Sequence, residues 1–424
     1  MKKITSTNYS IINIALLSLI GIAFATFDWI VGLVTFSDYI IAFILVLLLV
    51  TRNIFIKEKD IHIAVLVLGL LSTNVVYHFF RSDITINPSV AALIRLSFYV
   101  ITTLIFYNFI AANKLKSKLL LVINVVAMIT IAIGIYITII LVLDLELPYE
   151  FLWTFTRSDS RSYLFRGANK VVRTRSIFAE PSHFGYFLNV ILGINLFSKE
   201  KLKYVFWLNS IIILALISTL SYSALAITST VLLAFFISLL IKDVRNLTDK
   251  KTLLGIGLFI LALILFRDLI NTTIITRTRD IYMGYDNSAI QRVVESWEYA
   301  NRDSWGFGNG LGQTPYIFNN YAYMISDVGV AAFIGSILFT IYLMYKNFGL
   351  GLLFLMVNFQ KGGYISPSFW LMLLLMTCSS GGIRKFDISI MLSSSILIIF
   401  GFTNTRFLKL VFKNNFLSFL MRYS

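Results

Sequence analysis

The sequence has few of the residues that build metal sites and soluble domains. Among its 424 residues there are one cysteine, three histidines and five prolines. The single cysteine, Cys378, excludes a disulfide within the chain and a cysteine metal site. Three histidines are too few for a histidine cage unless carboxylates complete it. We therefore expect neither a metal nor a cofactor.

Charge is also scarce, because charged residues make up 13% of the chain and a soluble domain has about a quarter. Hydrophobic residues reach 58% and the mean hydropathy is +0.82. This composition predicts an all-α polytopic membrane protein, with the lipid bilayer as a partner. In such a protein the net charge of +15 is explained by topology and anionic ligands, so no nucleic-acid partner is expected.

Apolar runs of spanning length predict about twelve transmembrane helices, with a range of 11 to 13. No internal repeat or linker divides the chain, so residues 1–424 are expected to form a single integral membrane domain. Two long polar loops interrupt the runs, at 144–176 and at 271–318. The predicted spans are 11–27, 30–50, 61–80, 89–112, 119–143, 177–197, 204–220, 221–241, 253–270, 321–345, 348–359, 364–380 and 388–402.

Lysine and arginine are distributed differently between the loops. The short loops are rich in lysine, which indicates the cytoplasmic side. The two long loops would then face outwards, and their cations are mostly arginine. A guanidinium can bind phosphate or carboxylate through two parallel hydrogen bonds, which an ammonium cannot do, so the arginines favour an anionic ligand. Salt bridges to loop carboxylates explain some of them. These cations are Arg157, Arg161, Arg166, Arg173, Arg175 and Lys170 in the first loop, and Arg277, Arg279, Arg292 and Arg302 in the second.

The segment 173–185 gathers charge at the start of a predicted span. Arg173 and Arg175 precede Glu180 and Pro181, and Pro181 suits the first turn of a helix. Glu180 would lie near the positive N-terminal end of that helix, where a carboxylate is favoured. Charge at the mouth of a span is costly and commonly functional. An ion pair that anchors the helix end is the alternative, and this segment alone does not separate the two.

The second loop combines a predicted amphipathic helix at 292–300 with alternating glycines at 306–312. No strand precedes the glycines, so a dinucleotide site is disfavoured, and a tight turn that lets backbone approach a ligand is expected. Asn320 and Tyr321 begin the next span, and Asp327 lies within it. A carboxylate inside an apolar run is a functional candidate. Its alternative role is helix packing against an arginine such as Arg95.

These segments together resemble motifs of the bacterial O-antigen and capsular polysaccharide polymerases of the Wzy type. The first motif is similar to 175–182 with Gly185, and the Ser-rich element is similar to 219–224. The motif shared with O-antigen ligases resembles the positions from Arg292 to Gly329. The order and spacing hold over most of the chain. Ala224 stands where the family often has arginine, Asp327 where it often has glutamate, and Asn319 where the ligases usually have histidine.

The resemblance implies a metal-independent, inverting glycosyltransferase of the bacterial inner membrane with its active site facing the periplasm. It would join undecaprenyl-pyrophosphate-linked oligosaccharides, and a chain-length regulator of the polysaccharide co-polymerase type is an expected partner. Arginine donors could stabilise the pyrophosphate leaving group, and a carboxylate could accept the proton of the attacking hydroxyl. Glu180 is the first choice for this base, Asp327 the second and His183 the third. The expected catalytic residues are Glu180, Arg175, Arg292 and Asp327, and the expected substrate-binding residues are Arg166, Arg173, Arg277, Arg279, His183, Asn320 and Tyr321.

Two other functions remain open at this stage. An O-antigen ligase would transfer the finished glycan to lipid A core, and the missing loop histidine argues against it. A transporter of the polysaccharide unit should show repeat symmetry and broken helices near the middle of the membrane. Here charge collects in two outer loops instead, which favours an enzyme.

Overall fold

The structure is a computed structural model that describes residues 6–80, 86–156, 164–165, 168–200, 202–242, 257, 264, 267, 275–300, 306–361 and 363–380. Helices dominate this part of the chain. The major ones are α1 (Ser6–Ala25), α2 (Phe36–Val50), α3 (Glu58–Phe79), α4 (Ile86–Ala112), α5 (Lys116–Leu143), α6 (Pro181–Phe197), α7 (Val205–Ser218) and α8 (Tyr222–Lys242).

The second half of the chain contains shorter helices. They are α9 (Thr276–Tyr282), α10 (Asn287–Ile290), a π-helical turn at Gln291–Glu295, α11 (Ser296–Glu298), α12 (Asn320–Val328), α13 (Val330–Lys346), α14 (Phe348–Gln360) and α15 (Pro367–Ser379). The expected amphipathic helix at 292–300 is therefore interrupted by a π turn. Its Trp297 packs edge-on against Phe333, with ring centres 5.9 Å apart.

Four of the described helices are long and apolar enough to cross a membrane, and six shorter ones are apolar. This agrees with the predicted all-α membrane protein, while the number of spans stays a prediction. The expected span 388–402 lies outside the described residues, and so does most of 253–270. The four long segments are Asp60–Phe79, Ile86–Ala112, Lys116–Leu143 and Tyr222–Leu239.

Two small antiparallel hairpins, which the hydropathy pattern did not predict, lie in the connections. β1 (Ile30–Val31) pairs with β2 (Val34–Thr35) between α1 and α2. β3 (Leu164–Phe165) pairs with β4 (Ala168–Val172) in the first long loop, which also contains a 3₁₀ turn at Glu150–Trp153. Strands of two to five residues have no hydropathy signal of their own, so the pattern cannot reveal them.

The expected span 321–345 is two helices rather than one, because the chain breaks at Gly329. Gly329 has a φ of 101°, a left-handed conformation that favours glycine. A Cβ there would lie 2.0 Å from the Gly306 carbonyl oxygen, so only glycine allows the second loop to cross this break. The short α12 ends at the break, and the apolar α13 begins after it.

Helix α6 lies at the centre of the fold, with nearly every residue from Phe184 to Asn195 buried. Gly185 lets α8 approach closely, since a Cβ at Gly185 would be 2.3 Å from the Ala224 Cβ. The same contact leaves no room for a long side chain at Ala224, because such a side chain would collide with α6. Deeper in the bundle the Asn195 side chain hydrogen-bonds both Asn124 and Asn209, which joins α6 to α5 and α7.

Each end of α6 meets a different set of chain connections. At its C-terminus, Asn347 donates to the Phe197 carbonyl and Ser198 donates to the Ser379 carbonyl. The start of α14 and the end of α15 therefore lie at that end. The N-terminus of α6 meets the end of α14 and the residues after α1. The charged segment singled out in the sequence lies at this N-terminal end.

Candidate active site

The candidate site includes the first turn of α6. Glu180 is the N-cap residue, with extended backbone, and Pro181 is the first helical residue, as the sequence predicts. The Ser182 hydroxyl donates to Glu180 Oε2 at 3.1 Å. The Glu180 side chain makes no capping hydrogen bond to the helix backbone, and it is partly exposed.

Asp28, which follows α1, reaches this turn. Its Oδ2 accepts a hydrogen bond from the Ala179 amide at 2.8 Å and lies 3.1 Å from His183 Nδ1. The Asp28 side chain is only 7% exposed, whereas that of His183 is 22% exposed. The Phe27 ring lies beside the imidazole, with ring centres 5.8 Å apart. A carboxylate 155 positions away therefore holds the histidine in place.

Lys361, directly after α14, adds a cation to the same group. Its Nζ lies 3.7 Å from the centre of the Phe27 ring and 5.7 Å from that of Tyr186. Burial lowers the pKa of Lys361 to about 8, and the charges of Asp28 and Glu180 partly oppose this shift. Aromatic faces stabilise a cation that has lost much of its water. Lys361 thus balances the two carboxylates.

Gln360 links the second loop to α6. Its side-chain amide donates to the Ser182 carbonyl at 3.1 Å and to the Ser223 hydroxyl at 3.3 Å. Its backbone carbonyl accepts from Arg292 Nε at 3.3 Å. Three segments that the sequence singled out, the first turn of α6, the Ser-rich element and Arg292, therefore converge on one residue.

Arg292 is held between its own helix and an aromatic ring. Its Nη1 donates to the Ser288 carbonyl at 2.8 Å, and it also contacts the Ser288 hydroxyl. The guanidinium carbon lies 4.6 Å from the centre of the Phe318 ring. Both Arg292 and Glu180 act electrostatically on Tyr316, whose side chain is 53% exposed. A guanidinium, a carboxylate and a phenol therefore lie within electrostatic range of one another.

The two arginines before α6 have different environments. Arg175 is 1% exposed; its guanidinium stacks 3.5 Å from the Trp153 ring centre, and Nη1 donates to the Ala179 carbonyl at 3.0 Å. Arg173 is partly exposed and its Nε donates to the Thr219 carbonyl at 3.4 Å. Arg175 thus holds the turn before α6, and its expected contact with pyrophosphate stays a prediction.

Asp327 lies in a separate group of residues. Its Oδ2 accepts from the Gly312 amide at 3.1 Å and the Tyr364 hydroxyl at 2.9 Å, and its Oδ1 accepts from the Thr314 amide at 2.9 Å. These contacts wrap the glycine-rich loop around the end of α12. Gly308, with a φ of 74°, packs so closely that a Cβ would lie 2.5 Å from the Asp327 backbone. The alternative partner Arg95 instead donates to the Leu33 carbonyl.

Asn320 and Tyr321 are buried in helix packing. The Asn320 amide donates to Asn358 Oδ1 at 3.0 Å, and its Oδ1 accepts from the Tyr364 backbone at 3.1 Å. The Tyr321 hydroxyl lies 2.8 Å from the Thr340 hydroxyl. Both residues fix α12 against α13 and α14, so a substrate contact by either stays a prediction.

Among the remaining arginines predicted to bind substrate, the structure describes the side chain of one, Arg279. Arg166 lies outside the described residues, and for Arg277 only the backbone, in α9, is described. Arg279 is exposed on α9. Their expected contacts with pyrophosphate or sugar also stay predictions.

The structure therefore unites Glu180, His183 and Arg292 and adds residues that sequence reasoning missed. Lys361 could have been found from the sequence, because it is a lysine at the predicted outer end of the bundle, where most of the cations are arginines. Asp28 had no signal beyond being a carboxylate directly after an apolar run. The added residues are Asp28, Ser182, Ser223, Tyr316, Gln360 and Lys361.

Comparison of the chain with protein-family models, with curated proteins and with solved structures found no match.

Proposed function

We propose that this protein polymerises undecaprenyl-pyrophosphate-linked oligosaccharide repeat units at the outer face of the bacterial inner membrane. The observation that carries the proposal is the meeting of Arg292 with the first turn of α6 across Gln360. A guanidinium that could bind an anion thereby lies near side chains that could accept a proton, and those are the two kinds of group that glycosyl transfer from a pyrophosphate needs.

The reaction is an inverting displacement at the anomeric carbon of the growing chain. The bond from this carbon to the phosphate oxygen breaks, and the electron pair leaves with undecaprenyl pyrophosphate. A hydroxyl of the incoming repeat unit forms the new bond and loses its proton. Arg292 stabilises the charge that develops on the leaving group, because its fork of donors matches phosphate oxygens.

The proton acceptor belongs to the first turn of α6 in this proposal. Two of the three groups considered from sequence, Glu180 and His183, lie there. Both oxygens of the third, Asp327, are occupied by the glycine-rich loop and Tyr364, which gives Asp327 a structural role. The chain-length regulator is a further proposed partner, which would bind outside this group of residues.

Deletion of the gene separates the functions under consideration. If the protein is the polymerase, a mutant that attaches glycan to a lipid core carries single repeat units on that core. A mutant of a capsule producer makes no capsule. The full-length chain restores long polymer in either case. A bare core would indicate a ligase. Accumulation of repeat units on the cytoplasmic face would indicate a transporter.

The proposed orientation has its own test, for which buried Cys378 gives a quiet background. Tyr282 on α9 is 87% exposed, and Tyr345 at the end of α13 is 76% exposed. An impermeant thiol reagent should label Tyr282→Cys in intact spheroplasts and label Tyr345→Cys only after lysis. The reverse pattern would contradict a periplasmic site.

A further inference from the structure

Asp28 and His183 are arranged as a carboxylate and imidazole pair at the candidate site. Asp28 Oδ2 lies 3.1 Å from His183 Nδ1 and also accepts from the Ala179 amide. Among the residues that the structure describes, Asp28 is the side chain that hydrogen-bonds this imidazole. The Ala179 amide holds the Asp28 carboxylate, so the fold sets the direction in which this carboxylate contacts His183.

The pair selects one tautomer of the imidazole. An ionised carboxylate only accepts hydrogen bonds, so the proton of a neutral His183 lies on Nδ1. The lone pair then remains on Nε2, which is the nitrogen that can take up a proton. The Phe27 ring at 5.8 Å restricts rotation of the imidazole. The same logic operates in the serine-protease triad.

The surrounding charges suit a group that begins neutral and becomes charged. The charged groups near the imidazole are the Lys361 ammonium and the carboxylates of Asp28 and Glu180. The two carboxylates stabilise the imidazole once it holds a proton. Tyr186, on the next turn of α6, and Lys361 also pack against Phe27 in this cluster.

We propose that His183 Nε2 accepts the proton of the attacking sugar hydroxyl, and that Asp28 is the residue that positions His183 for this step. The proposal rests on the proposed function and names the base within it. The hydroxyl oxygen bonds to the anomeric carbon, the bond to the pyrophosphate oxygen breaks, and the proton moves to Nε2. The imidazolium then releases this proton to water.

Glu180 has a different part in this step. Its Oε2 already accepts from the Ser182 hydroxyl, and the N-terminus of α6 stabilises its negative charge. The carboxylate is therefore already engaged at the start of the helix. Its charge instead stabilises the imidazolium.

The test compares Asp28→Asn with wild type in a polymerisation assay of the purified full-length protein. The amide can donate to Nδ1 and thereby place the imidazole proton on Nε2, which is the wrong tautomer. In the serine-protease example this change costs about 10⁴-fold in rate. We expect a loss of about 10²–10⁴-fold for Asp28→Asn and for His183→Gln. The double variant should lose no more than His183→Gln alone, because the pair acts as a unit.

The matched control is Asp38→Asn. Asp38 is a carboxylate in the first turn of α2; it forms a capping box with Thr35 and accepts from the Tyr99 hydroxyl at 2.6 Å. Its variant should lose stability but keep the rate per folded molecule. Chemical rescue covers the case in which Asp28→Asn fails to fold: added imidazole should restore part of the activity of His183→Ala.

Three results would overturn the proposal while wild type still polymerises. The first is a wild-type rate for Asp28→Asn, and the second is full additivity of the two losses. The third is the absence of rescue together with a greater loss for Glu180→Gln than for His183→Gln. Failure of wild type to polymerise would instead overturn the proposed function.

Discussion

The guanidinium of Arg175 lies 3.5 Å from the centre of the Trp153 ring, inside the protein. Trp153 also donates from Nε1 to the Ser176 carbonyl at 2.7 Å. Ser176 has a φ of 54°, which is strained for serine, so this hydrogen bond and the stacked arginine hold a turn that would otherwise relax. The first long loop is thereby fixed to the start of α6.

This stacking predicts that Arg175→Lys lowers thermal stability, because an ammonium loses the planar contact with the ring. A desolvated contact between a cation and an aromatic ring contributes about 2 kcal/mol. Trp153→Leu should lower the unfolding midpoint of the detergent-purified protein as well, and the double variant should fall by less than the sum. An unchanged midpoint for Arg175→Lys, combined with loss of polymer, would show instead that Arg175 contacts pyrophosphate.

Arg292→Lys, in contrast, should lower activity rather than stability. The change retains the charge but removes the fork of donors, so we expect severe loss of long-chain product at normal protein levels. Arg95→Lys is the matched control, because Arg95 is a partly exposed arginine on α4 that donates to the Leu33 carbonyl. Full-length polymer from Arg292→Lys, measured on gels of the extracted glycan, would remove Arg292 from the site.

Asp327→Asn should destabilise the protein without abolishing transfer. The carboxylate accepts from two backbone amides and the Tyr364 hydroxyl, and hydrogen bonds to a charged group each contribute about 1.5–3 kcal/mol. Tyr364→Phe removes one of these bonds and should give a smaller fall in the unfolding midpoint. Loss of polymer by Asp327→Asn with a wild-type midpoint would return Asp327 to the list of bases.

The lowered pKa of Lys361 leads us to expect that activity depends on pH. Its pKa is lowered to about 8, so it is charged below pH 8 and becomes neutral as the pH rises through that value. Activity should therefore decline above about pH 8, because Asp28 and Glu180 then lose their counter-charge. Lys361→Arg keeps its charge at high pH and should remove this decline. The same decline in both proteins would assign it to another group.

The sequence was most informative where a residue type carries its own chemistry. Pro181 at the first turn of α6, Glu180 beside it and Arg292 could all be chosen from sequence, because helix starts and clustered arginines are local signals. The partners Asp28 and Lys361 could not, since their role depends on packing that joins positions far apart. Hydropathy likewise cannot show that Gly329 divides one apolar segment into two helices.

The sequence also could not show whether an expected site residue would be buried or exposed. Arg175 and Arg292 look alike as loop arginines, yet Arg175 is stacked inside the protein and Arg292 is partly exposed beside the Phe318 ring. The difference arises from Trp153, which comes from a 3₁₀ turn in the first loop. Burial of this kind is set by tertiary contacts rather than by the local pattern.

Polymerisation can be measured with the purified protein in lipid nanodiscs, supplied with undecaprenyl-pyrophosphate-linked repeat units as the only substrate. We expect a ladder of products that differ by one repeat unit, with one undecaprenyl pyrophosphate released for each linkage and no requirement for added metal. Repeat units that stay unjoined, with no undecaprenyl pyrophosphate released by a folded protein, would contradict it.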